Sequence, residues 1–333
     1  MRRFILKTVV FLVTLEATGW FLLAQQHYWY EDAADRVAVA PARFIFIGSS
    51  RVAQAVVGEA LSSELRLASS MVLNLGRGYS TLAEHYFGLR HLAAVSPSGL
   101  RGGVVFLEAP EGIPDLSTWD DPWFISADPG LLSMTMRPSD LPAFWLRSAG
   151  SLEEKASLTA AEVSSLAGLR GSWSYYARAG WHSLTGRRAD DGAEEIELAA
   201  AGGVRTSRAM FVAARKLAEE MSMRALRDQR VLTSQDIEAS ILLSLSSFLK
   251  KEGADVVIFT IPMSSVQQRT SATEAGRRNR DLVAVALKRA GMELLRVEFP
   301  TTDDDFPDLW HLRHVRAREF SRALARAYLA DRH

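Results

Sequence analysis

Three side chains near opposite ends of this 333-residue chain have the types that nucleophilic catalysis requires. Ser50 follows the apolar run 44–47 and stands where a helical pattern begins. Asp308 and His311 are three residues apart, just ahead of the last helical pattern. A serine hydroxyl attacks a carbonyl carbon when a base takes its proton and a third group orients that base. These residues predict a Ser50–His311–Asp308 relay, provided that the fold brings the two ends of the chain together.

Each of the three residues also has a simpler interpretation. Ser49 or Ser50 has the position of a helix N-cap, which is the commoner role of serine at such a site. The aspartates 303–305 lie in the same loop as Asp308 and are alternatives to it, and His311 could be an ordinary surface or core histidine. The run 303–305 is also a weak signal for a cation, but a solvated loop explains it better. We predict no metal site and no cofactor.

Five runs of strand length, four of them largely apolar, supply the elements that must position these residues. They are 44–47, 71–75, 104–107, 256–261 and 293–297. Helical patterns separate them, which predicts an α/β fold with a flavodoxin-like, doubly wound sheet of five parallel strands. The carboxyl ends of parallel strands share one edge of the sheet, and α/β proteins carry their chemistry at that edge. The loops after the first and last strands can therefore meet there.

The segment 113–230 breaks this alternation of strands and helices. It is rich in aromatic residues and carries helical patterns at 152–168 and 206–228. We predict a mainly helical insertion that divides the sheet domain into 31–112 and 231–333. Its aromatic side chains would add to the core. Alternatively, they would form a surface for lipid, a glycan or a membrane partner.

Residues 1–30 predict a membrane anchor. The apolar run 4–24 has the length of a bilayer-spanning helix, with basic residues before it and the aromatic cluster 28–30 after it. The positive-inside rule then places the domain outside the cytoplasmic membrane, in the periplasm or at the cell exterior. A cleaved signal peptide and a buried helix are the alternatives. Glu16 is an expensive residue inside such a span.

The composition excludes several classes of function. The chain has no cysteine, so disulfides, thiolate metal sites and cysteine nucleophiles are excluded. It has 39 acidic and 39 basic residues and no net charge, which provides no general attraction for nucleic acid. We therefore predict no nucleic-acid partner.

Three short blocks resemble the SGNH (GDSL-type) esterase superfamily. Residues 48–51 (Gly-Ser-Ser-Arg) are similar to its first block, with serine in place of the usual aspartate and Ser50 as the nucleophile. Residues 74–78 (Asn-Leu-Gly-Arg-Gly) resemble the second block, whose glycine lends an N–H group to the oxyanion hole. The resemblance implies Ser50 and Gly78 as the two backbone donors. Residues 308–311 (Asp-Leu-Trp-His) resemble the closing block, with aspartate as the orienting group and histidine as the base.

The third block departs from the family pattern. The family usually has Gly-x-Asn-Asp there, whereas residues 108–111 are Glu-Ala-Pro-Glu, without the asparagine. One oxyanion donor is therefore lacking or replaced, and such a donor can contribute roughly 10²–10³-fold to the rate. Arg51 and Arg77 flank the predicted site. Such arginines are usually solvated, and alternatively they would bind a polyanionic or sugar substrate.

The Gly-Ser-Ser variant, the predicted anchor and the divergent third block most resemble the membrane-anchored branch of the superfamily. That branch serves teichoic-acid D-alanylation and exopolysaccharide acetylation. The resemblance implies a serine-dependent O-acyltransferase or O-acyl esterase that acts on a cell-surface or secreted polysaccharide, often beside a polytopic membrane acyltransferase. Hydrolysis and transfer share the acyl-serine and differ in whether water or a sugar hydroxyl accepts the acyl group. The alternative is an inactive scaffold in a polysaccharide assembly complex.

Overall fold

A computed structural model describes residues 7–17, 42–76, 82–109, 195–198, 204–227, 231–238 and 241–332, with single positions at 152, 156, 159, 160 and 229. The strands are β1 (Phe44–Ile47), β2 (Val72–Asn74), β3 (Val104–Glu108), β4 (Glu195–Leu198), β5 (Val204–Ser207), β6 (Asp255–Phe259) and β7 (Glu293–Leu295). The helices are α1 (Ser50–Ala55), α2 (Gly58–Leu65), α3 (Leu82–Val95), α4 (Arg208–Arg227), α5 (Ser234–Glu238), α6 (Ile241–Lys251), α7 (Ser265–Ser271), α8 (Glu274–Arg289) and α9 (His314–Asp331). Residues 7–17 are also helical.

Five of the strands form one sheet in the order β2-β1-β3-β6-β7. Every neighbouring pair in this sheet is parallel. The prediction of an α/β protein with a five-stranded parallel sheet is confirmed, and the strand order is consistent with a flavodoxin-like fold. The chain leaves β1 toward β2 and then returns to the other side of β1 as β3. The ends of β1 and β3 therefore border the crevice where open α/β sheets bind their ligands.

Helices cover both faces of this sheet. One face packs against α3, α6 and α8 through buried side chains such as Leu92 and Leu245. The other face packs against α1, α2 and α9 through side chains such as Leu61 and Phe320. Strands covered on both faces have unbroken apolar sequences, because every side chain of the strand is buried. On the second face four strand phenylalanines contact one another: Phe44, Phe46, Phe106 and Phe259.

Between β3 and β6 the described residues contain a hairpin and a long helix. Strands β4 and β5 pair in antiparallel fashion, and α4 follows at once. The helix agrees with the pattern at 206–228, but the sequence reading did not anticipate the hairpin. Its signal is the period-two alternation at 195–198, where glutamate alternates with isoleucine and leucine. Most of the predicted insertion 113–230 lies outside the described residues.

Within the part of the chain that the structure describes, no helix combines the length and the apolar character needed to cross a bilayer. The predicted anchor covers residues 4–24, of which residues 7–17 are described and helical. The two ends of the predicted anchor lie outside the described residues.

Phe106 should contribute strongly to stability, because its ring is fully buried and stacks on Phe46 with centroids 4.5 Å apart. Truncation to alanine removes this burial and leaves a cavity. We expect Phe106→Ala to lower the free energy of unfolding by about 3–5 kcal/mol in urea denaturation followed by circular dichroism. The control is Val285→Ala on α8, a side chain that is 49% exposed and should change stability little. Equal effects of the two substitutions would contradict the packing described here.

Candidate active site

The turn between β1 and α1 is narrow, and it presents Ser50 as the first residue of the helix. Gly48 has φ +153°, and a Cβ at this position would lie 2.4 Å from Val52 Cγ2 and 2.6 Å from Glu108 Oε2. A side chain at position 48 would therefore collide with both the helix and the end of β3. Glycine allows the chain to turn sharply at the carboxyl edge of the sheet.

The helix cap is Ser49, not Ser50. The Ser49 hydroxyl accepts a hydrogen bond from the N–H of Arg51 at 3.2 Å, which satisfies one of the unpaired donors of the first turn. Capping therefore does not occupy the hydroxyl of Ser50. The simpler interpretation of Ser50 as a cap residue does not hold.

The structure brings Ser50, His311 and Asp308 into contact. Nε2 of His311 lies 2.8 Å from Oγ of Ser50, and Nδ1 lies 2.6 Å from Oδ2 of Asp308. When Nδ1–H donates to the carboxylate, Nε2 of the neutral imidazole carries a lone pair and accepts from the serine O–H. This is the arrangement in which an imidazole can take a proton from a hydroxyl.

Asp308 is held ionised by its surroundings. Burial by itself would raise the pKa of this carboxyl group, but the hydrogen bond and charge of His311 and two backbone N–H groups lower it below its ordinary value. Those N–H groups belong to Trp310 and His311 and donate to Oδ1 at 2.9 and 2.7 Å. The carboxylate is thereby fixed in orientation as well as in charge. It can hold the imidazole and stabilise its protonated form.

Two of the rival aspartates in the same loop, Asp303 and Asp305, have other partners. Asp303 accepts hydrogen bonds from the N–H and hydroxyl of Ser265. Asp305 forms an ion pair with Arg316 at 3.0 Å. Asp308 is thus the carboxylate of this run that contacts His311.

The turn that carries Asp308 and His311 contains a strained residue. Leu309 has φ +63°, a left-handed conformation that costs a non-glycine residue roughly 1–2 kcal/mol. Its side chain is buried, and its carbonyl accepts a hydrogen bond from the hydroxyl of Ser264 at 2.7 Å. Packing and this hydrogen bond hold the conformation, as is typical of strained residues at functional sites.

Glu108, at the end of β3, holds the turn 48–50 between β1 and α1. We name this turn the nucleophile turn, after the predicted role of Ser50. Its Oε2 accepts hydrogen bonds from both the N–H and the hydroxyl of Ser49, each at 2.8 Å. Its Oε1 lies 3.5 Å from Nη1 of Arg51. In the sequence Glu108 marked only a departure from the family pattern, and its contacts with the turn were not predicted. Their signal is an acidic residue at the end of the strand that neighbours β1.

Arg51 does not have the solvated, substrate-facing position considered from the sequence. Its side chain is only 12% exposed and pairs with Glu108. Its Nη2 donates to the carbonyl oxygens of Ile261 and Pro262 at 2.8 and 3.4 Å. Nη1 and Nη2 are therefore engaged within the protein, whereas the buried Nε has no hydrogen-bond partner among the described residues. The second candidate for substrate binding, Arg77, lies outside the described residues.

Asn74 and Gly76, from the block 74–78, hold α1 in place. The Asn74 amide donates to the carbonyl oxygens of Val52 and Val56 at 3.1 and 2.8 Å, and its Oδ1 accepts from the N–H of Gly76 at 2.9 Å. A Cβ on Gly76 would lie 2.4 Å from the backbone nitrogen of Ala53, so the loop approaches the helix closely. The N–H of Gly76 is thus committed to Asn74. The proposed oxyanion donor, Gly78, lies outside the described residues.

A buried histidine that the sequence reading did not single out also touches the nucleophile turn. Nε2 of His85, on α3, lies 2.9 Å from the carbonyl oxygen of Gly48, and the side chain is buried. This contact supports the turn from the side of the sheet opposite α9. A polar residue on the apolar side of a predicted helix is the only signal for it in the sequence.

A polar cavity of about 420 Å³ opens at the same edge of the sheet, between the segments that follow β6 and β7. Its polar lining includes hydroxyl, amide and guanidinium groups: Thr260, Gln268, Ser271, Arg277, Arg280 and Thr301. Such a lining suits a polar ligand better than an apolar chain.

Comparison with known proteins assigns no family, since no family model and no curated protein matches the chain significantly. The functional argument therefore depends on the geometry of the site.

The lowered pKa of Asp308 predicts a dependence of stability on pH. Because the folded-state pKa lies below the ordinary value of 3.8, the ionised carboxylate stabilises the fold above that pH. This stabilisation is lost as the pH falls through the lowered folded-state pKa. We expect Asp308→Asn to be less stable than the wild type at pH 5–7, with a difference that shrinks below about pH 4. Urea denaturation over this range measures it, with the exposed Asp281→Asn as control. A difference that does not vary with pH would contradict this assignment.

Glu108 should be essential for the stability of the nucleophile turn. Glu108→Ala removes both acceptors of Ser49 and leaves the buried guanidinium of Arg51 without its carboxylate, so we expect a loss of about 3 kcal/mol in urea denaturation. Glu108→Gln retains an acceptor for Ser49 and should lose less. The matched control is Glu59→Ala, which breaks the exposed 3.4 Å pair with Arg318 and should have little effect. Equal losses for Glu108→Ala and Glu59→Ala would contradict the role of Glu108.

Proposed function

We propose that this protein is a serine-dependent acyl-transfer enzyme, an O-acyltransferase or O-acyl esterase that acts on a cell-surface or secreted polysaccharide. The observation that carries the proposal is the 2.8 Å contact between Ser50 Oγ and His311 Nε2, with Asp308 2.6 Å from the other ring nitrogen. A hydroxyl, an imidazole and a buried carboxylate in this order are the groups that acyl transfer through serine requires.

The proposed reaction has two halves that use the same three residues. In the first half, Ser50 Oγ bonds to the acyl carbonyl carbon while His311 takes its proton, and the leaving alcohol departs with that proton. In the second half, water or a sugar hydroxyl attacks the acyl-serine and gives its proton to His311. The carbon–oxygen bond to Ser50 then breaks, and His311 returns the proton to the serine oxygen. Asp308 stabilises the imidazolium in both halves.

Charge at the site supports stabilisation of a tetrahedral oxyanion. The proposed donors are the backbone N–H groups of Ser50 and Gly78, and a first-turn N–H has no acceptor within its own helix. A lone carboxylate at the position of Glu108 would oppose developing negative charge. The ion pair with Arg51 offsets that charge, so the end of β3 can hold the turn without repelling the oxyanion.

The substrate class and the location are inferred from the sequence blocks, the polar cavity and the predicted anchor. The similarity of the three sequence blocks to the SGNH superfamily favours ester chemistry, and the polar cavity beside β6 and β7 suits a sugar acceptor. An anchor at residues 4–24 would hold the domain on the outer side of the cytoplasmic membrane. There a polytopic membrane acyltransferase would supply the acyl group.

A serine-reactive fluorophosphonate probe tests the nucleophile directly. We expect wild-type protein to be labelled at Ser50, and Ser50→Ala to abolish the labelling. Ser49→Ala is the matched control, because the hydroxyl of Ser49 donates to Glu108 and is not in the relay. This variant should still be labelled at Ser50, at a reduced rate. Absence of labelling in wild type would favour the inactive scaffold, and labelling that disappears only in Ser49→Ala would exclude Ser50.

An added glycan acceptor distinguishes hydrolysis from transfer in an experiment. The protein is incubated with p-nitrophenyl acetate, with and without an added glycan, and the glycan is analysed for new acetyl esters by mass spectrometry. Acetylated glycan that requires intact Ser50 indicates transfer. Release of acetate at the same rate with and without glycan indicates hydrolysis.

A further inference from the structure

The turn that carries Ser50 and the turn that carries Asp308 and His311 both form hydrogen bonds with one short segment. This segment is residues 261–264 between β6 and α7, and we name it the β6–α7 loop. Ser50 and His311 are 261 positions apart in the chain, so no local turn sets their separation. Side chains connect both of their turns to this loop. On one side Arg51 donates to the carbonyl oxygens of Ile261 and Pro262. On the other side Ser264 donates to the carbonyl oxygen of Leu309.

The connection on the base side is rigid. Ser264 is 1% exposed, and its hydroxyl caps α7 by accepting from the N–H of Gln267 at 3.3 Å. In turn, the N–H of Ser264 donates to Oε1 of Gln267 at 3.1 Å, which completes a capping box. The same hydroxyl donates to Leu309, the strained residue between Asp308 and His311. The start of α7 therefore fixes the position of the turn that carries the base.

The connection on the nucleophile side is equally specific. Arg51 follows Ser50 directly, and its planar guanidinium contacts the β6–α7 loop through Nη2 and Glu108 through Nη1. A guanidinium can bind two partners at fixed angles, whereas an ammonium group presents a single point charge. The end of β6 therefore holds the first turn of α1 at a fixed distance.

We propose that Arg51 and Ser264 are positioning residues that set the distance between Ser50 Oγ and His311 Nε2 through the β6–α7 loop. This role rests on the proposed function. Proton transfer requires a separation of about 2.6–3.2 Å, and a displacement of about 1 Å can cost on the order of 10²-fold in rate. Each acts by holding a turn and not by contact with the reacting atoms.

The chain contains a closely matched control for Ser264. The hydroxyl of Ser222, on α4, donates to the carbonyl oxygen of Val266 at 2.7 Å, the same length as the bond from Ser264 to Leu309. Ser222 is 3% exposed, and its acceptor also belongs to α7. Ser222→Ala therefore removes an equivalent buried hydrogen bond whose donor and acceptor both lie outside the two turns of the relay.

The experiment compares the rate of fluorophosphonate labelling of Ser50 in full-length wild type and four variants, below the unfolding temperature of each. We expect Ser264→Ala to be at least tenfold slower than wild type, and Ser222→Ala to remain within threefold. Ser264→Thr retains a hydroxyl and should recover most of the rate. Arg51→Lys keeps the charge opposite Glu108 but loses the forked contact, and it should also be at least tenfold slower. It provides an independent test if Ser264→Ala does not fold.

The pH profile separates positioning from general loss of structure. Wild-type labelling should depend on pH, because a general base takes a proton only in its unprotonated form. In Ser264→Ala the residual labelling should depend much less on pH, because it no longer passes through His311. The double variant, Ser264→Ala with Arg51→Lys, should lose less than the product of the two single losses, since both act on one distance.

Three results would overturn the inference. They are labelling of Ser264→Ala as fast as wild type, a slowing no greater than that of Ser222→Ala, and a pH profile that matches that of wild type. In each case Ser50 is labelled in wild type, so the proposed function stands while the positioning role fails. Wild type that is not labelled at all would instead overturn the proposed function, and the positioning role with it.

Discussion

The separation of 2.8 Å between Ser50 Oγ and His311 Nε2 is the constraint on which the rest of the site depends. It is demanding, because β1 and β7 are not neighbours: β3 and β6 lie between them. At about 4.8 Å per strand, the ends of β1 and β7 are roughly 14 Å apart. The segment 296–313 must therefore cross back over the carboxyl edge of the sheet before His311 can reach the serine.

The last helix secures that crossing. After His311 the chain enters α9, which packs on the same face of the sheet as α1 and α2. The buried hydroxyl of Ser321, on α9, accepts from the N–H of Val57 at 2.8 Å and donates toward the carbonyl oxygens of Ala55 and Ala317 at 3.0 and 2.8 Å. The end of α1 and the body of α9 are thus joined directly. Ser50 is thus the first residue of one helix and His311 lies just before the start of another, and the hydrogen bonds of Ser321 join these two helices.

The two carboxylates of the described site each have a partner side chain. Glu108 forms an ion pair with Arg51, and Asp308 pairs with the imidazole of His311, whose protonated form it can stabilise. A buried charge without a partner is costly, so these pairs also restrict the conformations that the two turns can adopt. The strain at Leu309 fits the same scheme, because burial and the hydrogen bond from Ser264 hold a backbone conformation that the residue would otherwise leave. The resulting site is preorganised around the relay.

Local patterns in the sequence were sufficient to predict the strands and to select Ser50, Asp308 and His311 as candidates. Buried parallel strands are mostly apolar, so β1, β2, β3 and β6 could be predicted from nearly continuous apolar runs, whereas the run that contains β7 also includes Glu293 and Arg296. The spacing of Asp308 and His311 singled them out, because three residues allow one turn to present both side chains. The hairpin β4–β5 was missed because helical patterns around it dominated the reading of that segment.

Tertiary structure alone decided the support of the site. The role of Glu108 follows from the pairing of β3 with β1, and those of Arg51 and Ser264 follow from the position of the β6–α7 loop beside both turns. In the sequence, Arg51 was only a candidate for substrate binding, Glu108 was only a departure from the family pattern, and Ser264 was not singled out. Their partners are remote in the chain, and only the strand order and the helix packing bring such partners within hydrogen-bond distance. The periodicity of apolar residues indicates which face of a helix or strand is buried, but it does not indicate which other element packs against that face.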